Sequence, residues 1–177
     1  MRELILLRHA KSSWANPGVT DHERPLNKRG RAAAELMGRC CAEADLLPDL
    51  VRSSDSSRTR ETVARWAAAA NWSGPIEWSP DLYHAAPHRL LDAARSAPDS
   101  TRRLMIVAHN PGIEELASSL AGREIVVPTG TLVLFQVELD AWADLDHAVP
   151  RERLVWRPRE LADQSATPLP SDPDGDD

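Results

Sequence analysis

Four short apolar runs punctuate this chain, at 3–7 (ELILL), 49–52 (DLVR), 75–78 (PIEW) and 104–108 (LMIVA), and stretches of helical periodicity separate them. Apolar runs without alternation read as strands buried on both faces, and strands spaced by helices build parallel sheets. Helices are expected over about 28–45, 56–71, 88–96 and 112–121, with Asn27 and Asn110 as N-caps and Pro111 at a first helical position. TLVLFQVEL at 131–139 and ERLVW at 152–156 add two strands joined by a polar connection, which fits an antiparallel edge. The pattern predicts an α/β fold, a three-layer α/β/α sandwich on a mostly parallel sheet. In such sheets, ligands collect outside the carboxyl ends of the strands, where the strand order reverses.

At 177 residues the chain is long enough to bury one core without disulfides or a structural metal. Its two cysteines, Cys40 and Cys41, are adjacent in a helical stretch, which suits neither a disulfide nor a chelate, and they read as small core residues. No apolar run approaches the length of a membrane span, and Met1-Arg2-Glu3 leads straight into the first strand. A cytoplasmic protein with no membrane role is therefore expected. The net charge of −6 is unevenly spread, because five Asp from 162 onward account for most of it and leave −1 on the rest. Residues 1–161 are thus expected to form the folded domain and 162–177 a disordered, acidic, Pro-rich tail. Lys28-Arg29-Gly30-Arg31 is the only basic run and lacks interleaved aromatics. It reads as a solvated helix start, and nucleic acid is not expected as a partner.

The chemistry gathers at the strand ends. LILL runs into Arg8-His9, LMIVA runs into His109-Asn110-Pro111-Gly112, and DLV ends in Arg52-Ser53-Ser54 with Arg58 shortly after. Two histidines and two arginines, with Lys11 near by, are expected in one crevice, and these strand ends carry no carboxylate. Arginine forks match tetrahedral oxyanions, and the helices starting near Pro111 and after Ser54 are expected to aim free N–H groups at the same place. Phosphate fits best. An imidazole among arginines stays neutral and can attack phosphorus, carrying the phosphoryl group as phosphohistidine.

Four stretches, LLRHAKSSW, DHERPLNKRG, SSDSSRTRET and VAHNPGIEEL, together resemble the histidine phosphatase superfamily, which is phosphoglycerate mutase-like in fold. Within it they are similar to the small SixA-type phosphohistidine phosphatases. The resemblance implies that His9 accepts the phosphoryl group and that Arg8, Arg58 and His109 complete the phosphate pocket. It places Lys11, Asn16 and Arg24 as further phosphate or substrate contacts, with Asp21 and Arg24 bracing the loop, and it implies no metal and no cofactor. Ala10 stands where the family usually has glycine, Lys11 where mutase-like relatives often carry Glu, and Asn16 lies one residue later than their asparagine. Asp55 and Glu61 replace a common proline and glutamine.

The usual acidic proton donor after the third strand is missing from SPDLYHAAPH, where His84 and Asp81 are the candidates. A phosphorylated imidazole departs without strong acid help, so this departure favours phosphohistidine as substrate. Only about 25 residues separate PIEW from LMIVA, too few for a large lid insertion. The expected activity is a metal-independent phosphatase acting through His9 on protein phosphohistidine. The alternatives are a broad phosphomonoesterase for small phosphoesters and a non-catalytic phosphoprotein-binding module. No feature of the sequence fixes an oligomeric state.

Overall fold

The computed structural model describes residues 1–164 and 168–171. Its strands are β1 (Arg2–Arg8), β2 (Leu50–Ser54), β3 (Ile76–Ser79), β4 (Arg103–Ala108), β5 (Leu132–Val137) and β6 (Arg151–Trp156). Its helices are α1 (Lys28–Glu43), α2 (Ser57–Ala69), α3 (Pro87–Arg95), α4 (Gly112–Ala121) and α5 (Pro158–Gln164). They form one six-stranded sheet in the order β3-β2-β4-β1-β5-β6. The first four strands are mutually parallel, while β5 runs antiparallel to β1 and β6 antiparallel to β5. The mostly parallel sheet with an antiparallel edge is as expected.

The unbroken apolar character of LILL follows from this layering. Leu4 and Leu6 enter the core shared with α3 and α4, whereas Ile5 and Leu7 enter the core shared with α1 and α2. Alternate residues of a strand face opposite ways, so a strand covered on both sides needs apolar residues throughout. Each such side chain contributes about 1.5–3 kcal/mol by leaving water. Trp142 fills the first core and Trp66 the second, both fully buried. Cys41 also lies in the second core, where burial pushes its thiol up to about 12. The chain leaves β1 for β2 and β3 and then returns to lay β4 between β1 and β2, so the order reverses beside β1.

Two expectations about helix ends need correction. Asn27 caps α1 as predicted, its side chain accepting from Gly30 N at 2.8 Å. Asn110, however, does not cap α4. Pro111 is the cap and already has helical backbone angles (φ −79, ψ −15), which leaves Asn110 one residue too early. Its amide instead donates to Glu114 Oε2 and to Val127 O, at 3.2 and 3.1 Å.

The second correction concerns residues 162–164, expected within a disordered tail. They belong to α5, because Pro158 can begin a helix and Leu161 and Ala162 have apolar surface to bury. The rest of that expected tail falls largely outside the described residues. Between β3 and β4 stand only a 3₁₀ turn at Pro80–Leu82 and α3, so no large lid is inserted. No described helix is long and apolar enough to cross a membrane.

Candidate active site

His9 follows directly on β1, held by His9 N–H to Ala108 O at 3.1 Å and by Gly130 N–H to its own carbonyl at 3.0 Å. The ring is buried, and its Nδ1 lies 2.8 Å from Ala10 O. A carbonyl only accepts, so Nδ1 carries the proton and Nε2 keeps its lone pair. The other contact agrees, because Arg58 Nε–H donates toward Nε2 at 3.3 Å. Burial lowers the His9 pKa to about 3, opposed by the Ala10 hydrogen bond and reinforced by the charges of Arg58, Arg8 and Arg24. The neutral ring expected from the arginines is therefore owed first to desolvation.

His109 ends β4 and approaches His9 with ring centroids 5.0 Å apart. Its Nε2 lies 2.9 Å from Ser54 Oγ at the end of β2, so three strand ends meet here. Its buried Nδ1 has no hydrogen-bond partner among the described residues. Burial, then the neighbouring His9 and Arg58, lower the His109 pKa to about 2.

Arg58 lies in the first turn of α2, only 2% exposed. No side chain caps that helix and no acid occupies its first turn, whereas α4 carries Glu114 and Glu115 in its own. Of the two helix starts expected to face an anion, α2 is the better suited electrostatically.

The sequence places Asp21 as a brace of the loop, but not as the carboxylate that meets these cations. Asp21, in a 3₁₀ turn, takes Arg58 at Nη2 (3.0 Å) and through its backbone carbonyl at Nη1 (2.5 Å). The same Oδ2 accepts from Tyr83 Oη at 2.5 Å and lies 3.2 Å from His84 Nε2. Burial pushes the Asp21 carboxyl up, but the hydrogen bonds from Tyr83, Arg24 and His84 and the charge of Arg58 outweigh it and hold it well below the usual range. His84 Nε2 is also 3.3 Å from Arg58 Nη2, and its ring stacks on His109 at 5.0 Å. A proline-and-charge-rich loop gives Asp21 no periodic signal, and Tyr83 is marked only by its place beside His84.

The remaining candidates divide. Arg24 braces the loop as expected, donating to Ser13 O, Asp21 Oδ1 and Ser12 Oγ, with its guanidinium 3.2 Å from the centroid of the exposed Trp14 ring. Arg8 donates to Val127 O at 3.0 Å, and with Lys11 it lines a neighbouring cleft. Asn16 is exposed and closes its own turn by accepting from Gly18 N at 3.1 Å. Asp81 is not brought into the ring cluster. It is an exposed residue of the turn after β3 and faces a different cavity, beside Arg52, Arg89 and Asp92. Among the described residues, no three His, Cys, Asp or Glu side chains are grouped to hold a metal ion.

The reversal point gathers two imidazoles, a buried guanidinium and an uncapped helix start, an arrangement chemically suited to a tetrahedral oxyanion. The description "Histidine phosphatase superfamily (branch 1)" matches residues 4–85. An uncharacterized chloroplast protein of Arabidopsis thaliana is 35% identical over 153 residues, 81% of this chain and 70% of that protein. In solved structures, the SixA protein of Nakamurella multipartitia superposes with a TM-score of 0.77 at 28% identity, covering 89% of this chain and 96% of the other. The protein histidine phosphatase SixA complexed with tungstate superposes at 0.73 with 15% identity, over 90% and 99%, a likeness of fold. The chain belongs to the histidine phosphatase superfamily.

Proposed function

We propose that this protein is a phosphatase working by two displacements at phosphorus, with His9 Nε2 as the nucleophile. The observation that carries the reading is the fixed tautomer of His9, with Nδ1–H spent on Ala10 O and the Nε2 lone pair directed at Arg58. In the first step Nε2 bonds to phosphorus as the bond from phosphorus to the leaving atom breaks. In the second, water forms the new P–O bond and gives up a proton, the N–P electron pair returns to Nε2, and inorganic phosphate departs. Arg58 and His109 Nδ1 would meet the phosphoryl oxygens, and Arg8 adds positive charge beside His9, which supports a reaction that needs no metal.

Arg58 is engaged by Asp21 before substrate arrives, so phosphate entry exchanges one anion for another at that guanidinium. His84 stands at the mouth with half its side chain exposed and is the group placed to protonate a leaving atom, whereas Asp81 faces elsewhere. Protein phosphohistidine is the favoured substrate. The connection after β3 adds no lid, and a neutral imidazole leaving group asks little of a proton donor. The position of His84 also supports the alternative reading, hydrolysis of small oxygen esters.

The test is release of phosphate from an aryl phosphate in excess chelator, set beside hydrolysis of a phosphohistidine protein. The wild-type chain is expected to turn over both, and folded His9→Asn to lose at least about 10³-fold in rate. Hydrolysis by folded His9→Asn at the wild-type rate would overturn the nucleophile. Tight phosphate binding without release would mark a binding module.

A further inference from the structure

Every nitrogen of the Arg58 guanidinium is engaged before any phosphate arrives. Nε–H donates toward His9 Nε2 at 3.3 Å, Nη1 donates to the Asp21 backbone carbonyl at 2.5 Å, and Nη2 donates to Asp21 Oδ2 at 3.0 Å. The Arg58 side chain is only 3% exposed, and Asp21 is the one carboxylate paired with it among the described residues. A phosphate oxygen that approaches Arg58 therefore has to take the place of Asp21 or settle beside it. Breaking a pair at a buried cation is costly, and so is bringing a second anion close. Asp21 thus opposes the anion that Arg58 is placed to hold.

The carboxylate is also seated to give way and return. Its Oδ2 accepts from Tyr83 Oη at 2.5 Å and lies 3.2 Å from His84 Nε2, while Oδ1 accepts from Arg24 Nη1 at 2.9 Å. Arg24 is buried and anchored in turn to Ser12 Oγ and Ser13 O. Tyr83 and Arg24 keep the carboxylate hydrogen-bonded when Arg58 is lost, so it stays anionic at the edge of the pocket. There it opposes every phosphorylated occupant, and most of all the free phosphate ion, which lacks the rest of a substrate to hold it in place.

We infer that Asp21 is a built-in competitor for Arg58, acting through that guanidinium to weaken the hold on inorganic phosphate and hasten its release. The competition concerns any phosphate ion at the site, whereas its value in turnover rests on the phosphatase reading.

Calorimetric titration of inorganic phosphate into the wild-type chain, Asp21→Asn, Asp21→Ser and Asp21→Glu tests the competition without turnover. Asp21→Asn and Asp21→Ser are expected to bind phosphate at least about tenfold more tightly than wild type, and Asp21→Glu, which keeps the charge, to stay within about threefold of it. A residue that merely braces Arg58 predicts the opposite sign, because its loss lets the guanidinium wander and weakens binding. Unchanged or weaker binding by the folded neutral variants would overturn the competition. Tyr83 is the chain's single tyrosine, so an isotopic label at its ring Cζ, followed by NMR, reports on the same exchange in the wild type. Its resonance is expected to shift as phosphate saturates the site, because Asp21 gives up Arg58 and rests on Tyr83. A resonance unmoved at saturation would also overturn the competition. With an aryl phosphate as substrate, the inhibition constant for phosphate is expected to fall in Asp21→Asn and Asp21→Ser by the same factor as the dissociation constant. Hydrolysis by the wild type with unchanged phosphate affinity in both neutral variants would overturn the competition and leave the phosphatase reading standing. Tighter binding as expected, with no hydrolysis by the wild-type chain, would overturn the phosphatase reading alone.

Discussion

His9 and His109 lose most of their basicity to burial, and the sign of that loss sets how the fold responds to acid. Their folded values, about 3 and about 2, lie below the ordinary 6.5. Below pH 6.5 the unfolded chain therefore binds more protons than the folded one, and stability falls as the pH drops toward the folded values. Each ring contributes a slope of at most about 1.4 kcal/mol per pH unit in that window. Asp21 acts in the same sense at lower pH, since its carboxyl is held down in the fold and its contribution disappears on protonation. Urea unfolding is expected to show stability declining from pH 7 to pH 4, more gently for His9→Asn. A wild-type profile flat across that range would contradict the buried, neutral rings.

The legibility of individual residues followed their tether. His9, Arg58 and His109 each sit at the end of a strand or the start of a helix, so element boundaries place them. Asp21 and Tyr83 come from loops whose path no periodicity encodes. Asp81 lies near the right place in sequence, but the turn after β3 directs it into a different cavity.

At the scale of elements, the alternation of apolar runs and helical patterns was sufficient to define the layers, because burial on both faces leaves strands no room for polar residues. Composition was less informative for α5, whose acidic, proline-rich surroundings mask Leu161 and Ala162. The start of α4 depends on a backbone approach. A Cβ on Gly112 would stand 1.9 Å from Ala85 O, a rigid partner next to His84 and opposite the segment that carries His109. Gly112→Ala is therefore expected to destabilise the fold by about 1–3 kcal/mol and to slow turnover as the two histidines part. Gly18→Ala, on an exposed turn, is the control and is expected to stay within about 0.5 kcal/mol of wild type. Denaturant midpoints for the two variants check this, and equal midpoints would contradict the tight approach.

In the molecule as a whole, the site exists because the chain lays β4 beside β1 only after forming β2 and β3. That path gathers His9, Ser54 and His109 from segments far apart in sequence. The loop bearing Asp21 then closes over the site through Arg58, Tyr83 and His84. The claim on which the rest depends is that Nε2 of His9 takes the phosphoryl group. The most direct measurement is alkaline quenching during turnover, followed by mass mapping of the phosphorylated peptides. The account predicts a phosphoryl group on His9 that is stable in base, lost in acid and absent from His9→Asn. Turnover with His9 unlabelled, or with the label on His109, would contradict it.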